Sequence, residues 1–205
     1  ALAAGAVLTF GGATPAPAPD DGDMHVVGQN ATGAWAEQDD DLAIFMNGDW
    51  LFVAPWAGCR VWIEGNAEAV VYDGEQWVPN WMGGSPSGAA TQSRVVEIDH
   101  ELAAGAASVT VDVIPDKAVV LGVTGRVIQA IGGVNGWSIG VPGSVGRYGS
   151  GYNPSLNAFA RGVTGQPLAY YGATALELTA DNGAFTGGVV RLAVHFTEIQ
   201  PPQPV

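Results

Sequence analysis

Apolar and polar positions alternate along most of this chain, in two different styles. Over the first ninety residues the apolar runs are short and separated by Gly, Asn and Asp. Met24-His25-Val26-Val27 is one such run. Leu42–Met46 and Trp50–Val53 flank Asn47-Gly48, Val61–Ile63 and Ala69–Tyr72 flank Gly65-Asn66, and Gln76–Val78 follows Asp73-Gly74. Asn-Gly or Asp-Gly between apolar runs is the strongest short-range hairpin signal, because both central residues tolerate positive φ. The pattern predicts an antiparallel meander of short strands over residues 23–81. Trp35, Trp50, Trp56, Trp62, Trp77 and Trp81 all fall in it and are expected to form the core of a compact module.

From residue 94 the alternation lengthens and β-branched residues dominate. Val96, Ile98, His100 and Leu102 share one face, and Val109, Val111 and Val113 alternate with Thr110 and Asp112. Ala118–Ile131 reads as a central strand bent at Gly122 and Gly125. Leu176 and Leu178 alternate with Glu177 and Thr179, and Val190, Leu192, Val194 and Phe196 with Arg191, Ala193, His195 and Thr197. Strict period-two patterning with Gly-rich turns predicts a β-sandwich or jelly-roll-like domain over residues 94–199.

The fold class is therefore all-β: a small Trp-rich antiparallel β-meander domain followed by a β-sandwich. Residues 1–22 read as an N-terminal arm and Pro-rich strap. Ala1–Thr9 is the end of a helix or an extended segment, and the Pro-Ala alternation that follows favours polyproline II. Residues 82–93 read as a flexible Gly/Ser linker, and residues 200–205 as a Pro-rich tail.

Composition narrows the partners. Of 205 residues, 47% are apolar and only 13% charged, against about 25% charged in ordinary soluble domains. So neutral a surface points to a homo-oligomer, with subunits covering one another. The net charge is −13. Residues 1–90 hold twelve acids and one base, and residues 91–205 hold eight acids and six bases. Lys/Arg supply most of the affinity for phosphate backbones and anionic bilayers, so neither nucleic acid nor membrane insertion is expected. Ala1–Phe10 is too short to span a bilayer. Cys59, the lone cysteine, reads as a buried structural thiol in a protein made in a reducing cytoplasm.

No catalytic motif is present. The three histidines, His25, His100 and His195, lack metal-ligand spacing, and no nucleophile elbow, phosphate loop or dinucleotide fingerprint occurs. No metal, cofactor or catalytic residue is expected. Asp20, Asp21 and Asp23 lack the glutamate and helices of a calcium loop and read as a solvated turn, as does Asp39-Asp40-Asp41. Glu97 with Asp99, or Asp112 with Asp116, are carboxylate pairs of the kind glycosidases use, but on strands such acids are more often a solvent face. Trp137 sits in the turn-rich Gly132-Gly-Val-Asn-Gly-Trp-Ser138. With Arg147, Tyr148, Tyr152 and Asn153 it makes either a glycan-binding platform or a plug at the end of the sandwich.

Several ordered segments carry a resemblance. Gly22–Gly28, Ala31–Ala36, Phe52–Pro55 and Arg60–Trp62 together resemble a domain family of unassigned function found in tail-fibre and related virion proteins of alphaproteobacterial phages, prophages and gene transfer agents. The resemblance covers about residues 13–80. Ile98-Asp99-His100, Val119–Val123 and Phe185–Ala193 resemble the β-rich region that often follows. The resemblance implies a virion protein, a tail fibre or spike that is a trimer. It implies contacts to other virion proteins through the N-terminal arm and Trp-rich domain, and host attachment by receptor binding to a surface glycan. A connector or decoration protein without a ligand is the alternative, and a glycan-cleaving enzyme a third.

Overall fold

The computed structural model describes residues 5–204. Among these the chain forms fourteen strands and one turn of 3-10 helix (Gly33–Trp35), with no α-helix, so the all-β expectation holds. In order the strands are β1 (Ala6–Val7), β2 (Thr9–Gly12), β3 (Met24–Val27), β4 (Leu42–Met46), β5 (Asp49–Val53), β6 (Arg60–Ile63) and β7 (Glu68–Tyr72). There follow β8 (Trp77–Pro79), β9 (Trp81–Gly84), β10 (Ala90–Glu101), β11 (Ala107–Ile114), β12 (Val119–Gly140), β13 (Phe159–Ala169) and β14 (Thr174–Gln200). They group into two compact units. Unit 1 runs to Gln92 and takes in the tail from Gln200; unit 2 is Ser93–Ile199.

Unit 1 is not one meander but two four-stranded sheets, ordered β1-β6-β7-β8 and β2-β3-β4-β5. The predicted hairpins form. Asn47 and Gly48 have φ of 54° and 84°, the left-handed pair that a tight two-residue hairpin needs. The N-terminal segment supplies the difference. β1 pairs in parallel with β6, with Val7 opposite Ile63, and β2 pairs in parallel with β3, with Thr9 opposite His25. The described part of the expected helix end or extended segment is extended, an edge strand in each sheet, and the Pro-rich residues 13–22 form neither strand nor helix; residues 1–4 lie outside the described residues. The Gly/Ser segment is likewise structured. Gly84 pairs with Ala90 across a turn at Ser85–Gly88, and the tail returns to it, Gln203 N–H donating to Ser87 O at 2.8 Å.

Val7, Val26, Leu42, Cys59, Val61, Ile63, Val70 and Trp77 form one core that draws on both sheets, and Trp35 packs with Val27 and Ala43 in a second. Only some of the tryptophans take the expected role. Trp35 and Trp77 are buried and Trp50 is half-buried, but Trp56 and Trp62 remain about half exposed. In β6, Val61 and Ile63 point inward, so Trp62 points out. Fully burying one indole contributes roughly 4–6 kcal/mol as an upper bound, which makes Trp35 a principal anchor. Two acids of Asp39-Asp40-Asp41 are also tied down. Asp39 accepts from Asn30 and Ala31 N–H, both at 2.9 Å, and Asp40 from Gln29 Nε2 at 2.6 Å.

Unit 2 is built on two long strands. β12 and β14 pair antiparallel from Val119 opposite Thr197 to Gly140 opposite Glu177. β13 joins the first part of β12, β11 the first part of β14, and β10 also pairs β14. Register shifts between Val127 and Val134 bend the pair. Gly183 (φ 125°) lies against the Gly133 carbonyl there, where a Cβ has no room. A single cluster takes Val120, Val123 and Val127 from one half of β12 and Trp137 and Ile139 from the other. It also takes Leu176, Leu178, Leu192 and Phe196 from both halves of β14. The two layers of the sandwich are thus two halves of one curled sheet.

The first part of β11 reverses the expected facing, while Val113 is buried as expected. Val109 and Val111 are exposed, while Ser108 and Thr110 are buried. Ser108 Oγ meets His100 Nε2 at 2.8 Å and accepts from Ala103 N–H at 2.9 Å; Thr110 Oγ1 accepts from Leu176 N–H at 2.9 Å. A register shift between Val109 and Asp112 disturbs the ladder, and the hydroxyls satisfy backbone donors near it. An unpaired buried donor costs more than an exposed valine.

Candidate functional site

The five residues expected to form a glycan platform do not form one. Trp137 lies within β12, not in a loop, and is 0% exposed; Tyr148 is 1% exposed. The indole donates to Asn153 O at 3.1 Å and packs on Tyr152, ring centroids 5.4 Å apart. The Tyr148 and Tyr170 hydroxyls are 2.7 Å apart, and Tyr152 Oη donates to Tyr148 O at 2.6 Å. Burial, and then the bond to Tyr170, push the Tyr148 phenol well above its ordinary range. The structure brings Trp137, Tyr148, Tyr152 and Asn153 together as a packed plug. Arg147 and Asn153 are exposed and Tyr152 is half-buried, but the enclosed rings of Trp137 and Tyr148 have no open face to stack on a sugar.

An open site lies elsewhere in unit 2, on the outer face of the sheet. β13, β12, β14 and β10 run side by side there, and the period-two alternation that buries Val190, Leu192 and Val194 turns Arg191, Ala193 and His195 outward. Register aligns the rest. Arg126 is opposite Phe159 on one side and Arg191 on the other; Thr124 is opposite Arg161 and Ala193. These residues and Glu97 line a shallow groove of about 360 Å³. Ala193, between longer neighbours, leaves its floor open.

Three of the seven basic residues of an acidic chain meet in this groove. Asp99 grips Arg191 through two bonds, 2.7 and 2.8 Å, and Glu97 lies 3.7 Å from it. Those hydrogen bonds hold the Asp99 carboxyl below its ordinary range and keep Arg191 protonated. Arg126 donates to Asn157 O at 2.7 Å and stands 5.7 Å from the Phe159 ring centre. Among the described residues no carboxylate pairs with Arg126 or Arg161. Thr124 Oγ1 lies 3.0 Å from His195 Nε2. The arrangement presents fixed donors and an apolar ring, with Phe159 63% exposed, and suits binding of a polar, anionic group. The sequence carried one usable signal for it, the scarcity of bases, but their meeting depends on strand register.

Cys59 is buried, and desolvation raises its thiol pKa, against a smaller lowering by the Trp56 backbone, as suits a structural thiol. Asp23 accepts from Asp20 N–H at 2.9 Å, within the turn expected there. Among the described residues no helix is long and apolar enough to cross a membrane.

No curated protein matches the chain. Among solved structures the chain is similar to one described as "Cyanophage Pam1 capsid asymmetric unit". Identity is 22%, covering 54% of this chain and 86% of that one, with a TM-score of 0.40. Residues 1–78 match the family model described as "Protein of unknown function (DUF2793)", so the N-terminal part of the chain carries a domain of unassigned function.

Proposed function

We propose that this chain is a structural protein of a phage-like particle, a tail fibre or spike, and that unit 2 contacts a polysaccharide on the host surface. One observation carries the contact: the open groove of Thr124, Arg126, Phe159, Arg161 and Arg191 on an otherwise acidic molecule. The sequence resemblance to virion proteins, in both halves of the chain, supports the setting. On this reading the N-terminal strands and the exposed Trp56 and Trp62 of unit 1 meet other virion proteins. The protein binds rather than cleaves, and it works as a homotrimer made in the bacterial cytoplasm.

Three measurements test the proposal. Immunogold labelling of purified particles is expected to mark their surface, and unlabelled particles would remove the virion role. Fluorescent protein is expected to coat host cells and to fail on mutants stripped of surface polysaccharide; equal coating of both rejects the glycan. Light scattering after size exclusion is expected to give a trimer, and a monomer at micromolar concentration would refute that.

A second reading, a connector without a ligand, draws on the edge strand β11. Its Val109 and Val111, 51% and 75% exposed, would be covered by a neighbour in a particle. Labelling confined to internal junctions, with no binding to cells, would favour it.

A further inference from the structure

We infer that the groove on the outer face of unit 2 selects an acidic saccharide, a sugar ring bearing a carboxylate or a sulfate ester. This rests on the reading that unit 2 meets a host glycan. Acids outnumber bases twenty to seven, so an arginine in this chain has carboxylates to choose from. Arg191 takes two, Asp99 through paired hydrogen bonds and Glu97 at 3.7 Å. Arg126 and Arg161 take none among the described residues, though Arg126 stands directly across from Arg191. Asp99 and Glu97 compensate Arg191, so the charge left for a ligand is that of Arg126 and Arg161, and an anion entering the groove pairs with it.

The geometry suits one anionic group shared by two side chains. Arg161 is opposite Thr124, and Arg126 lies two residues along the same strand as Thr124. Such diagonal neighbours are about 7–8 Å apart at Cα, within reach of long side chains. Both guanidiniums can therefore close on one carboxylate or sulfate, with the planar fork that suits these groups. Arg126 is already held by Asn157 O, so little freedom is lost on binding. Phe159 supplies what a bare anion would not use. It is a 63% exposed ring beside the two arginines, an apolar face for the C–H side of a sugar. Thr124 adds a hydroxyl at the centre.

Calorimetry on the full chain tests this with oligogalacturonate, its methyl ester, sulfated dextran oligomers and plain dextran oligomers. The charged member of at least one pair is expected to bind and its neutral partner to fail. Binding should weaken between about 20 mM and about 200 mM salt as screening shortens. The carboxylate and sulfate arms identify which anion is preferred. Arg126→Gln and Arg161→Gln are each expected to weaken binding about tenfold or more, and Phe159→Ala to weaken it as well. Arg147→Gln, outside the groove, should leave it unchanged, and melting temperatures should match throughout. Equal binding of charged and neutral partners, full affinity in the Arg126→Gln/Arg161→Gln double variant, or equal binding of single-stranded DNA would overturn the inference. The two readings fail separately. Coating of host cells that survives carboxyl reduction and desulfation of their surface glycan overturns acidic selectivity and leaves host contact standing. Binding to acidic oligomers without coating of any host cell removes host contact instead.

Discussion

The phenolic oxygens of Tyr148 and Tyr170 face each other at 2.7 Å, both in buried side chains. Each hydroxyl is thus the other's partner in a place water does not reach. Tyr170→Phe leaves the Tyr148 hydroxyl unpaired and is expected to cost about 1–3 kcal/mol in urea unfolding, with Tyr148→Phe similar. Removing both should cost less than the two single losses together, because the double variant strands no hydroxyl. Additive losses would show that the pair is not coupled.

Trp137→Ala should act on stability before it acts on any ligand. The indole is fully buried and donates to Asn153 O, so truncation is expected to cost about 3–5 kcal/mol. Near-ultraviolet circular dichroism during thermal unfolding reads the loss. A well-folded Trp137→Ala protein with unchanged melting would contradict the plug.

Gly162 and Gly133 permit close backbone approach. A Cβ on Gly162 would overlap the Tyr148 carbonyl, and one on Gly133 (φ 84°) the Ala184 carbonyl. Either glycine→Ala change is expected to destabilise unit 2 by about 1–3 kcal/mol. Gly143→Ala makes the instructive comparison. It also has positive φ but nothing within 4 Å, so it should cost less than the two crowded sites. Gly162 has no positive φ, so equal losses at Gly133 and Gly143 would assign the effect at Gly133 to φ alone.

His25 should respond to acid. Its ring lies between Trp35 and Trp50, Nδ1 is 2.7 Å from Thr9 Oγ1, and Nε2 has no partner among the described residues. Burial lowers its pKa below the ordinary 6.5, partly offset by Asp23. The folded state then holds fewer protons than the unfolded one. This contribution to stability is complete above about pH 6.5 and is lost as the pH falls from there towards the folded value. Proton NMR of the imidazole should place its midpoint below 6.5. Urea titrations from pH 7 to 5 should show a decline that His25→Gln lessens. A midpoint at or above 6.5 would reject the assignment.

Local signals made some of this architecture legible. Asn47-Gly48 declares its hairpin because the turn's φ values are set by those two residues alone. The alternation of Val96, Ile98 and His100 shows its face because that side of β10 is half-buried while Val95, Glu97, Asp99 and Glu101 are exposed. β1 and β2 could not be read, since two and four residues become strands only by pairing with residues 60–63 and 24–27. Trp137 reads as a loop residue because Gly132, Gly133 and Gly136 look like a turn, whereas here two strands cross closely and need the absent side chains. Val109 and Val111 face outward because Ser108 and Thr110 answer backbone donors, a requirement that hydrophobicity does not express. The groove was hidden for a similar reason. Arg126, Arg161 and Arg191 are far apart in sequence and meet only through the registers of three strands.

The place of β1 bears on the order in which the protein is made. Val7 leaves the ribosome before the strand it pairs with, which ends at Ile63, and the turn at Ser87 is met later still by Gln203. At about 5–20 residues per second, several seconds pass before β6 follows β1 into the open, and longer before the tail arrives. Unit 1 is begun first and finished last, while all of unit 2 is synthesised in between. A nascent chain stalled before residue 60 is therefore expected to leave Val7 and its neighbours accessible to protease, and release of the full chain to protect them.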